Sequence, residues 1–259
     1  MKIFILCGGF GTRLDYEGTL KAKPMVRIGQ QPILKHLLDN FYNQGFNEFV
    51  LCMGHKSESI INYFLKENKK NTKVLINKKK YLKIKFNKQK KNFLIDLIYT
   101  GKNSGTGGRI KTAYKMLNLN EDIFMTYGDG LSDVKIKKII DFHYRKKSLT
   151  TLTAVKAKQR YGILKINNNR ISHFDNSKKK VETYINGGFF MISKKAIDFI
   201  NNRKTYWENE PIKKVQRMKK LFAFKHNGFW HSMDTMKDKN DLNELYKKKK
   251  FLWKVKKLN

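Results

Sequence analysis

A glycine-rich loop directly follows the first apolar run of the chain, where residues 7–14 are Cys-Gly-Gly-Phe-Gly-Thr-Arg-Leu. Glycines let the backbone approach a phosphate and point N–H groups at it, and Arg13 adds a permanent cation with a planar fork of donors. The spacing excludes a dinucleotide fingerprint, which needs glycine where Leu14 stands, and a Walker A loop. The alternative is a tight turn with a surface arginine. The neighbouring Thr12 and the downstream Lys23 favour phosphate binding.

Two aspartates are candidates for binding a metal ion. Asp129 lies between glycines at the end of a predicted strand, and Asp234 lies in the motif GFWHSMDT. Mg²⁺ shared with a triphosphate prefers one or two carboxylates plus phosphate oxygens. Each aspartate has an ordinary alternative, because aspartate and glycine are common in turns and Asp234 precedes a predicted helix that it could cap.

Other short motifs indicate ligand contact more weakly. Lys23 precedes a proline, which favours extended backbone and directs the ammonium group toward a cleft, although a solvated lysine is commoner. Residues 105–109 begin a helix through glycines, which suits a base edge, a phosphate or a flexible helix entry. Glycines inside the apolar segment 184–189 indicate a close ligand approach or a β-bulge. Residues 207–211, WENEP, place two carboxylates at a helix start, where helix-dipole stabilisation is at least as good an interpretation as sugar binding.

The six histidines show no metal-binding spacing, and no Gly-x-Ser-x-Gly nucleophile motif is present. We interpret these histidines as structural or exposed.

The elements that must position these residues alternate between strand and helix over the first 156 residues. Short apolar runs such as Lys2–Cys7 predict buried parallel strands, and amphipathic segments such as Ser57–Glu67, with a serine able to cap it, predict helices. Residues 66–91 break the rhythm, because their alternating Leu, Ile and Phe among 12 lysines indicate a one-faced hairpin or a flap. This order predicts a mainly parallel sheet with ligands at the carboxyl ends of its strands.

The composition limits the classes of protein to which this chain can belong. The 259 residues are 40% hydrophobic, which argues against disorder, and 56 Lys and Arg against 21 Asp and Glu give a net charge of +35. That charge suits a polyanion such as nucleic acid, but lysine is spread over the whole chain and a compositional bias is favoured. Cys7 and Cys52 are expected to be buried thiols, not a disulfide. No segment approaches the ~20 apolar residues of a membrane span, and we expect a cytoplasmic protein.

Taken together, the motifs resemble those of the sugar-nucleotide transferases, or NDP-sugar pyrophosphorylases, and the likeness runs from Lys2 to about Trp253. TGGR, INGGFF and the tryptophan motifs are similar to the cytidylyl branch. The motifs that carry the resemblance are LCGGFGTRL at 6–14, KPMVRIG at 23–29, TGGR at 106–109, TYGDG at 126–130, INGGFF at 185–190, WENEP at 207–211 and GFWHSMDT at 228–235.

The resemblance implies an α/β protein with a Rossmann-like, mixed and mainly parallel sheet flanked by helices, a smaller β-rich sugar-binding part and C-terminal helices. One nucleotidyltransferase domain would fill residues 1–259. Residues 1–156 would bind the nucleotide and 157–235 the sugar phosphate, and 236–259 would form a helix and basic tail. It also implies that CTP and glucose 1-phosphate give CDP-glucose and pyrophosphate with the help of Mg²⁺, and that the protein is a homo-oligomer.

The same resemblance assigns roles to individual residues. Arg13 and Lys23 would be catalytic, and Asp129 and Asp234 would bind Mg²⁺. The nucleotide would contact Leu6, Gly8, Gly9, Gly11, Thr12, Arg13, Thr106, Gly107, Arg109 and Gly128. The sugar phosphate would contact Tyr161, Lys178, Asn186, Gly187 and Glu208.

Two positions depart from the family pattern. Cys7 stands where alanine is usual, and Ser177 stands where a lysine usually grips the sugar phosphate, so that Lys178 or Lys179 would have to replace it. This departure leaves open a different sugar 1-phosphate or nucleotide. A catalytically weak polyanion-binding protein on the same fold is the alternative from another class.

Overall fold

A computed structural model describes residues 1–9, 21–156 and 183–255, together with the backbone of residues 163–167 and 170–175. Its strands, numbered along the chain, are β1 Ile3–Cys7, β2 Arg27–Ile28, β3 Gln31–Pro32, β4 Glu48–Met53, β5 Thr72–Lys78, β6 Tyr81–Lys88, β7 Lys91–Tyr99, β8 Ile123–Tyr127, β9 Gly130–Ser132, β10 Thr150–Lys156, β11 Ile163–Asn167, β12 Arg170–Asp175, β13 Tyr184–Ile192, β14 Leu221–His226 and β15 Trp230–Ser232.

Helices connect most of these strands. They are α1 Ile33–Asn43, α2 Ser57–Asn62, α3 Thr106–Met116, α4 Ile136–Arg145, α5 Lys194–Ile197, α6 Glu210–Arg217 and α7 Met236–Lys247. A 3-10 turn at Lys23–Met25 and a π turn at Tyr63–Glu67 complete the elements used below.

One sheet organises the molecule, with nine strands in the order β14-β10-β13-β8-β1-β4-β7-β6-β5. The central strands β8, β1, β4 and β7 are parallel, whereas β13 is antiparallel to both β8 and β10. The parallel centre confirms the prediction from strand–helix alternation. It brings the carboxyl ends of β1 and β8 side by side, where the predicted loops begin.

The sheet is buried on both faces, which explains why its central strands are continuous apolar runs. All five residues of β1 are buried. On one face Ile3 and Ile5 pack with α1 and α4, and on the other Phe4 and Leu6 pack with α3 and α6. Burying side chains of this size stabilises the fold by roughly 1.5–3 kcal/mol each.

The lysine-rich segment forms the predicted hairpin, because β5 pairs antiparallel with β6 and β6 with β7. Leu82, Ile84 and Phe86 are buried while their neighbours along β6 are not, so the one-faced pattern is confirmed. The serine cap predicted for the helix before this hairpin is wrong. The N-cap of α2 is Lys56, in the left-handed region at φ 55°, and no side chain among the described residues caps this helix.

The two cysteines are buried free thiols, as predicted. Leu6 is the register partner of Cys52, so Cys7 faces the opposite side of the sheet, and each thiol belongs to a different core. Burial raises the pKa of both thiols, that of Cys52 to about 12. Within the residues that the structure describes, no helix is long and apolar enough to span a membrane.

Candidate active site

The site begins where β1 and β8 end. Gly8 and Gly9 follow β1, and the N–H of Gly128 donates to the Leu6 carbonyl at 3.0 Å. A Cβ on Gly128 would lie 2.6 Å from Cγ of Pro24, so only glycine lets the 3-10 turn that carries Lys23 pack against this strand end. Two strand ends and one turn therefore converge on a single point.

Lys23 is fixed at that point by its turn. Pro24 and Met25 are buried, and the N–H of Ala22 donates to Ser59 Oγ at 3.0 Å. The Lys23 Nζ lies 2.6 Å from Asp129 Oδ2 and 2.8 Å from Asp234 Oδ1. The three predicted residues are thus in direct contact.

A short antiparallel ladder brings the two aspartates together. β9 begins directly after Asp129, β15 ends two residues before Asp234, and Gly130 is the register partner of Ser232. The N–H of Met233 donates to the Asp129 carbonyl at 2.8 Å and closes the end of the ladder. This ladder places both carboxylates on Lys23.

The helix-cap alternative for Asp234 is wrong. Thr235 is the N-cap of α7, where its hydroxyl accepts from the Asp238 N–H and the Asp238 carboxylate accepts from the Thr235 N–H. Because this capping box satisfies the helix start, the Asp234 carboxylate is available to Lys23.

Burial and the two carboxylates together determine the protonation state of Lys23. The Lys23 side chain is only 16% exposed. Burial alone would lower the pKa of Lys23, but Asp129 and Asp234 hold that pKa above its ordinary value. Lys23 is therefore a cation at neutral pH.

The two carboxylates fit Mg²⁺ by their chemistry. Both present an oxygen to one point, and Mg²⁺ takes few protein carboxylates when phosphate and water supply its other oxygens. Among the described residues no cluster of three or more His, Cys, Asp or Glu side chains is gathered for a metal. The donor set accordingly suits an ion that arrives with a phosphate ligand.

Arg109 lies in the interior and is only 4% exposed. Its Nη2 donates to the Gly8 carbonyl at 2.8 Å, and its Nη1 donates to the Gly101 carbonyl at 2.7 Å and to Thr100 Oγ1 at 3.0 Å. A Cβ on Gly8 would lie 2.2 Å from Nη1, so glycine makes room for the guanidinium. Arg109 therefore fixes the position of Gly8, where the glycine loop starts. A direct contact between Arg109 and the base of the nucleotide stays a prediction.

The glycines that begin α3 serve close packing. A Cβ on Gly108 would lie 2.0 Å from the Arg203 carbonyl oxygen, and one on Gly107 would lie 3.0 Å from the Thr205 carbonyl oxygen. The Gly108 N–H donates to that Thr205 carbonyl at 3.0 Å. The helix entry is thus packed tightly against the segment that carries the WENEP motif.

Glu208 of that motif is held by two hydroxyl groups. Thr106 Oγ1 donates to Glu208 Oε2 at 2.6 Å, and the Tyr127 hydroxyl donates to Glu208 Oε1. Burial raises the pKa of Tyr127 and the Glu208 carboxylate raises it further, so the phenol keeps its proton and stays a donor. Tyr127 was not predicted as a site residue, although it lies in the quoted TYGDG motif.

The glycines of β13 form a β-bulge, as one interpretation of the sequence predicted. The pairing with β10 shifts register between Asn186 and Phe190, and Gly188 has φ 79°. The Asn186 Oδ1 accepts from the Gly188 N–H at 2.9 Å, and Trp230 Nε1 donates to the Gly187 carbonyl at 2.7 Å. Trp230 is a second residue that sequence reasoning missed, although its motif was recognised.

A cleft of about 1230 Å³ joins these parts. Both aspartates and residues of the bulged strand β13 contribute to its lining. Its lining includes Tyr127, Asp129, Asn186, Gly187, Trp230 and Asp234. Of the other predicted residues, Leu6, Gly8 and Gly128 border the strand ends, and Gly11, Thr12, Arg13, Tyr161 and Lys178 lie outside the described residues, as does Ser177.

The fold and the site define a nucleotide-transferring class of protein, and comparison with known families agrees. The family model described as "Nucleotidyl transferase" matches residues 2–249, so this chain belongs to the nucleotidyl transferase family.

Two curated relatives show which members of this family the chain is similar to. The chain is 38% identical over 259 residues to the glucose-1-phosphate cytidylyltransferase of Salmonella typhimurium, covering 98% of this chain and 99% of the relative. It is 32% identical to a probable glucose-1-phosphate cytidylyltransferase of Bacillus subtilis, covering 98% of this chain and 100% of the relative.

Solved structures share the fold. HddC from Yersinia pseudotuberculosis, complexed with GMP-PN, is 24% identical with a TM-score of 0.68, over 95% of this chain and 99% of that one. A putative glucose-1-phosphate thymidylyltransferase from Bacillus anthracis is 15% identical with a TM-score of 0.69, over 95% and 94%. At this identity the likeness supports the α/β fold, with its mixed and mainly parallel sheet.

Proposed function

We propose that this protein is a glucose-1-phosphate cytidylyltransferase, which joins CTP and glucose 1-phosphate to give CDP-glucose and pyrophosphate. The observation that carries the proposal is the convergence of Lys23, Asp129 and Asp234 beside the glycine loop, in a chain 38% identical to a curated glucose-1-phosphate cytidylyltransferase over its full length.

The reaction is a single displacement at the α-phosphorus of CTP. A phosphate oxygen of glucose 1-phosphate attacks that phosphorus, the new P–O bond forms, and the bond to the bridging oxygen of pyrophosphate breaks with its electron pair. The second pKa of a phosphate monoester is near ~6, so the attacking dianion exists at neutral pH without a general base. A histidine base is therefore not required for this step.

Positioning and charge neutralisation then supply the rate enhancement. Lys23 is a buried cation beside the strand ends and would offset the negative charge that develops around the α-phosphate. The backbone N–H groups after β1 would hold the triphosphate, and Arg109 would keep the start of that loop in place. Arg13 is proposed for the same work at the leaving pyrophosphate.

Asp129 and Asp234 would hold Mg²⁺. When bound, the ion neutralises phosphate charge and fixes the triphosphate against the two carboxylates. The two aspartates would fix the position of this ion, because the β9–β15 ladder sets their separation before any ligand binds.

The sugar would lie on the bulged side of the cleft. Asn186, Gly187 and Tyr127 line the cleft there, and Tyr127 and Thr106 hold the Glu208 carboxylate by hydrogen bonds. A carboxylate that already accepts two protein hydrogen bonds has a fixed orientation, which suits recognition of sugar hydroxyls. Tyr161 and Lys178 are proposed to contact the sugar phosphate.

A pyrophosphate-release assay tests the proposal. The purified protein is mixed with Mg²⁺, each nucleoside triphosphate in turn and a panel of sugar 1-phosphates. CTP with glucose 1-phosphate should give the highest kcat/KM. Release only with another pair would keep the transferase class and replace the substrate, and no release with any pair would refute the proposal.

We also propose that the protein is a cytoplasmic homo-oligomer. The likeness to the family supports the oligomer, and two buried thiols on opposite faces of the sheet suit a reducing compartment. Light scattering coupled to size-exclusion chromatography would measure the oligomeric state.

A further inference from the structure

In the free protein a cation that belongs to the chain itself lies between Asp129 and Asp234. The Lys23 ammonium is 2.6 Å from one carboxylate and 2.8 Å from the other, which are distances of charge-assisted hydrogen bonds. The proposed function assigns these same two carboxylates to a divalent cation. The two cations therefore compete for one pair of carboxylates.

Lys23 competes strongly with a metal ion because the backbone turn that carries it is fixed in position. Its turn is anchored by buried Pro24 and Met25 and by the hydrogen bond from the Ala22 N–H to Ser59. The side chains of Lys23 and Asp129 are 16% and 26% exposed, so water screens this pair only in part, whereas Asp234 is 41% exposed. An ion on the same oxygens would face the ammonium at close range, where like charges repel.

The same geometry indicates how the repulsion is relieved. The Lys23 turn packs against Gly128, beside the ends of β1 and β8 from which the glycine loop begins. A triphosphate bound there would offer the flexible lysine side chain a second anionic partner. Lys23 can then leave the carboxylates without giving up its ion pairing.

We propose that Lys23 is a built-in counter-ion that keeps divalent cations out of the nucleotide-free protein, and that the nucleotide admits the metal by drawing Lys23 away. This inference rests on the proposed function for the metal role of Asp129 and Asp234. It assigns Lys23 a task before the reaction, in addition to neutralising phosphate charge during it. Metal and triphosphate accordingly enter the site as one unit.

Titration of the protein with Mn²⁺ in the absence of any nucleotide tests this inference, with binding followed by calorimetry and by electron paramagnetic resonance. The wild-type protein should bind weakly. Lys23→Met should bind at least about tenfold more tightly, because the positive charge beside the two carboxylates is gone. Lys23→Arg keeps that charge and should stay weak, and Asp129→Asn in the Lys23→Met background should abolish the gain.

Lys21→Met is the matched control. Lys21 is exposed, lies two residues away and loses the same charge, so it should leave Mn²⁺ affinity unchanged. Equal tightening by both methionine variants would overturn the inference, because overall charge would then explain the effect. Equal affinity of wild type and Lys23→Met would also overturn it.

Thermal melts followed by circular dichroism verify that each variant is folded, and Lys23→Gln is a second neutral variant with the same expected result. The titration contains neither CTP nor a sugar phosphate. A failed pyrophosphate assay would therefore count against the proposed function, whereas an unchanged Mn²⁺ affinity would count against the role of Lys23.

Discussion

The Arg109 guanidinium donates to the Gly8 carbonyl at 2.8 Å, which ties the start of α3 to the end of β1. The same group also binds carbonyls of Met53, Gly101 and Lys102, so one side chain joins three strand ends. The loop proposed to hold the triphosphate therefore begins from a point fixed by a buried cation.

Arg109→Lys should lower the free energy of unfolding by about 2–4 kcal/mol, because a lysine cannot serve several carbonyls and leaves buried acceptors unpaired. Urea denaturation measures this change, and the KM for CTP should rise with it. Arg203→Lys, at an exposed arginine, is the control and should change neither quantity. Full stability of the Arg109 variant would refute the structural role.

Gly128→Ala should lower stability by about 1–3 kcal/mol, the usual cost of overpacking, because the new methyl group would overlap Pro24. It should also lower kcat, since the Lys23 turn must shift. Gly130→Ala is the matched control for stability, as a Cβ there meets no atom within 4 Å. Equal melting temperatures for the two variants would contradict this account.

Asp129→Asn should reduce kcat about 10²–10³-fold, the effect typical of losing one electrostatic contact to a transition state. The fold should survive, because Lys23 keeps Asp234 as a partner. Steady-state kinetics beside a melting curve separates the two effects. Asp141→Asn, an exposed aspartate on α4, should behave as wild type, and near-normal turnover by Asp129→Asn would remove that residue from the metal site.

Trp230→Phe should raise the KM for glucose 1-phosphate by about tenfold while changing the KM for CTP little. The ring volume is largely kept, but the Gly187 carbonyl loses the indole N–H that holds it, a contact of about 1.4 kcal/mol. Trp253→Phe is the control, because the buried Trp253 N–H has no hydrogen-bond partner among the residues that the structure describes. A parallel rise of both KM values in the Trp230 variant would indicate general damage to the cleft.

Lys35→Met should be neutral or stabilising. Lys35 is fully buried and pairs with Asp39 at 2.7 Å, yet burial lowers its pKa more than Asp39 raises it. A base with a lowered pKa in the folded state penalises folding when protonated, so wild-type stability should rise as pH increases from that lowered pKa toward the unfolded value near ~10.4. Asp39 keeps Lys91 as a second partner at 2.9 Å.

Unfolding of wild type and Lys35→Met between pH 7 and 10 measures this effect, with Lys137→Met at an exposed lysine as the control. The two stability curves should converge as pH rises. A large loss of stability in the Lys35 variant at pH 7 would show that the ion pair outweighs its burial.

The central sheet could be predicted because its strands are continuous apolar runs bounded by turn residues. The run Lys2–Cys7 was predicted as a strand, and β1 begins one residue later at Ile3 and ends at Cys7. β14 was missed, since its half-exposed residues give no strong apolar pattern. A local apolar pattern indicates a buried strand, whereas an edge strand is only partly buried and lacks such a pattern.

The candidate site was less accessible to sequence reasoning. The β9–β15 ladder, with three residues in each strand, is too short for any periodicity, yet it joins Asp129 to Asp234. The glycines before Arg109 indicate a ligand contact, which stays a prediction, but they do not indicate its hydrogen bonds to the carbonyls of Gly8 and Met53, which lie far away in the sequence. Long-range backbone contacts of this kind leave no spacing to recognise.

The β9–β15 ladder also sets an order during synthesis of the chain. The glycine loop, Lys23 and Asp129 leave the ribosome before β15 and the Asp234 that follows it. Until β15 pairs with β9, Lys23 has only one of its two carboxylate partners. Ribosome-bound chains arrested before residue 230 would thus contain the strands of the nine-stranded sheet but only one of the two carboxylates that pair with Lys23.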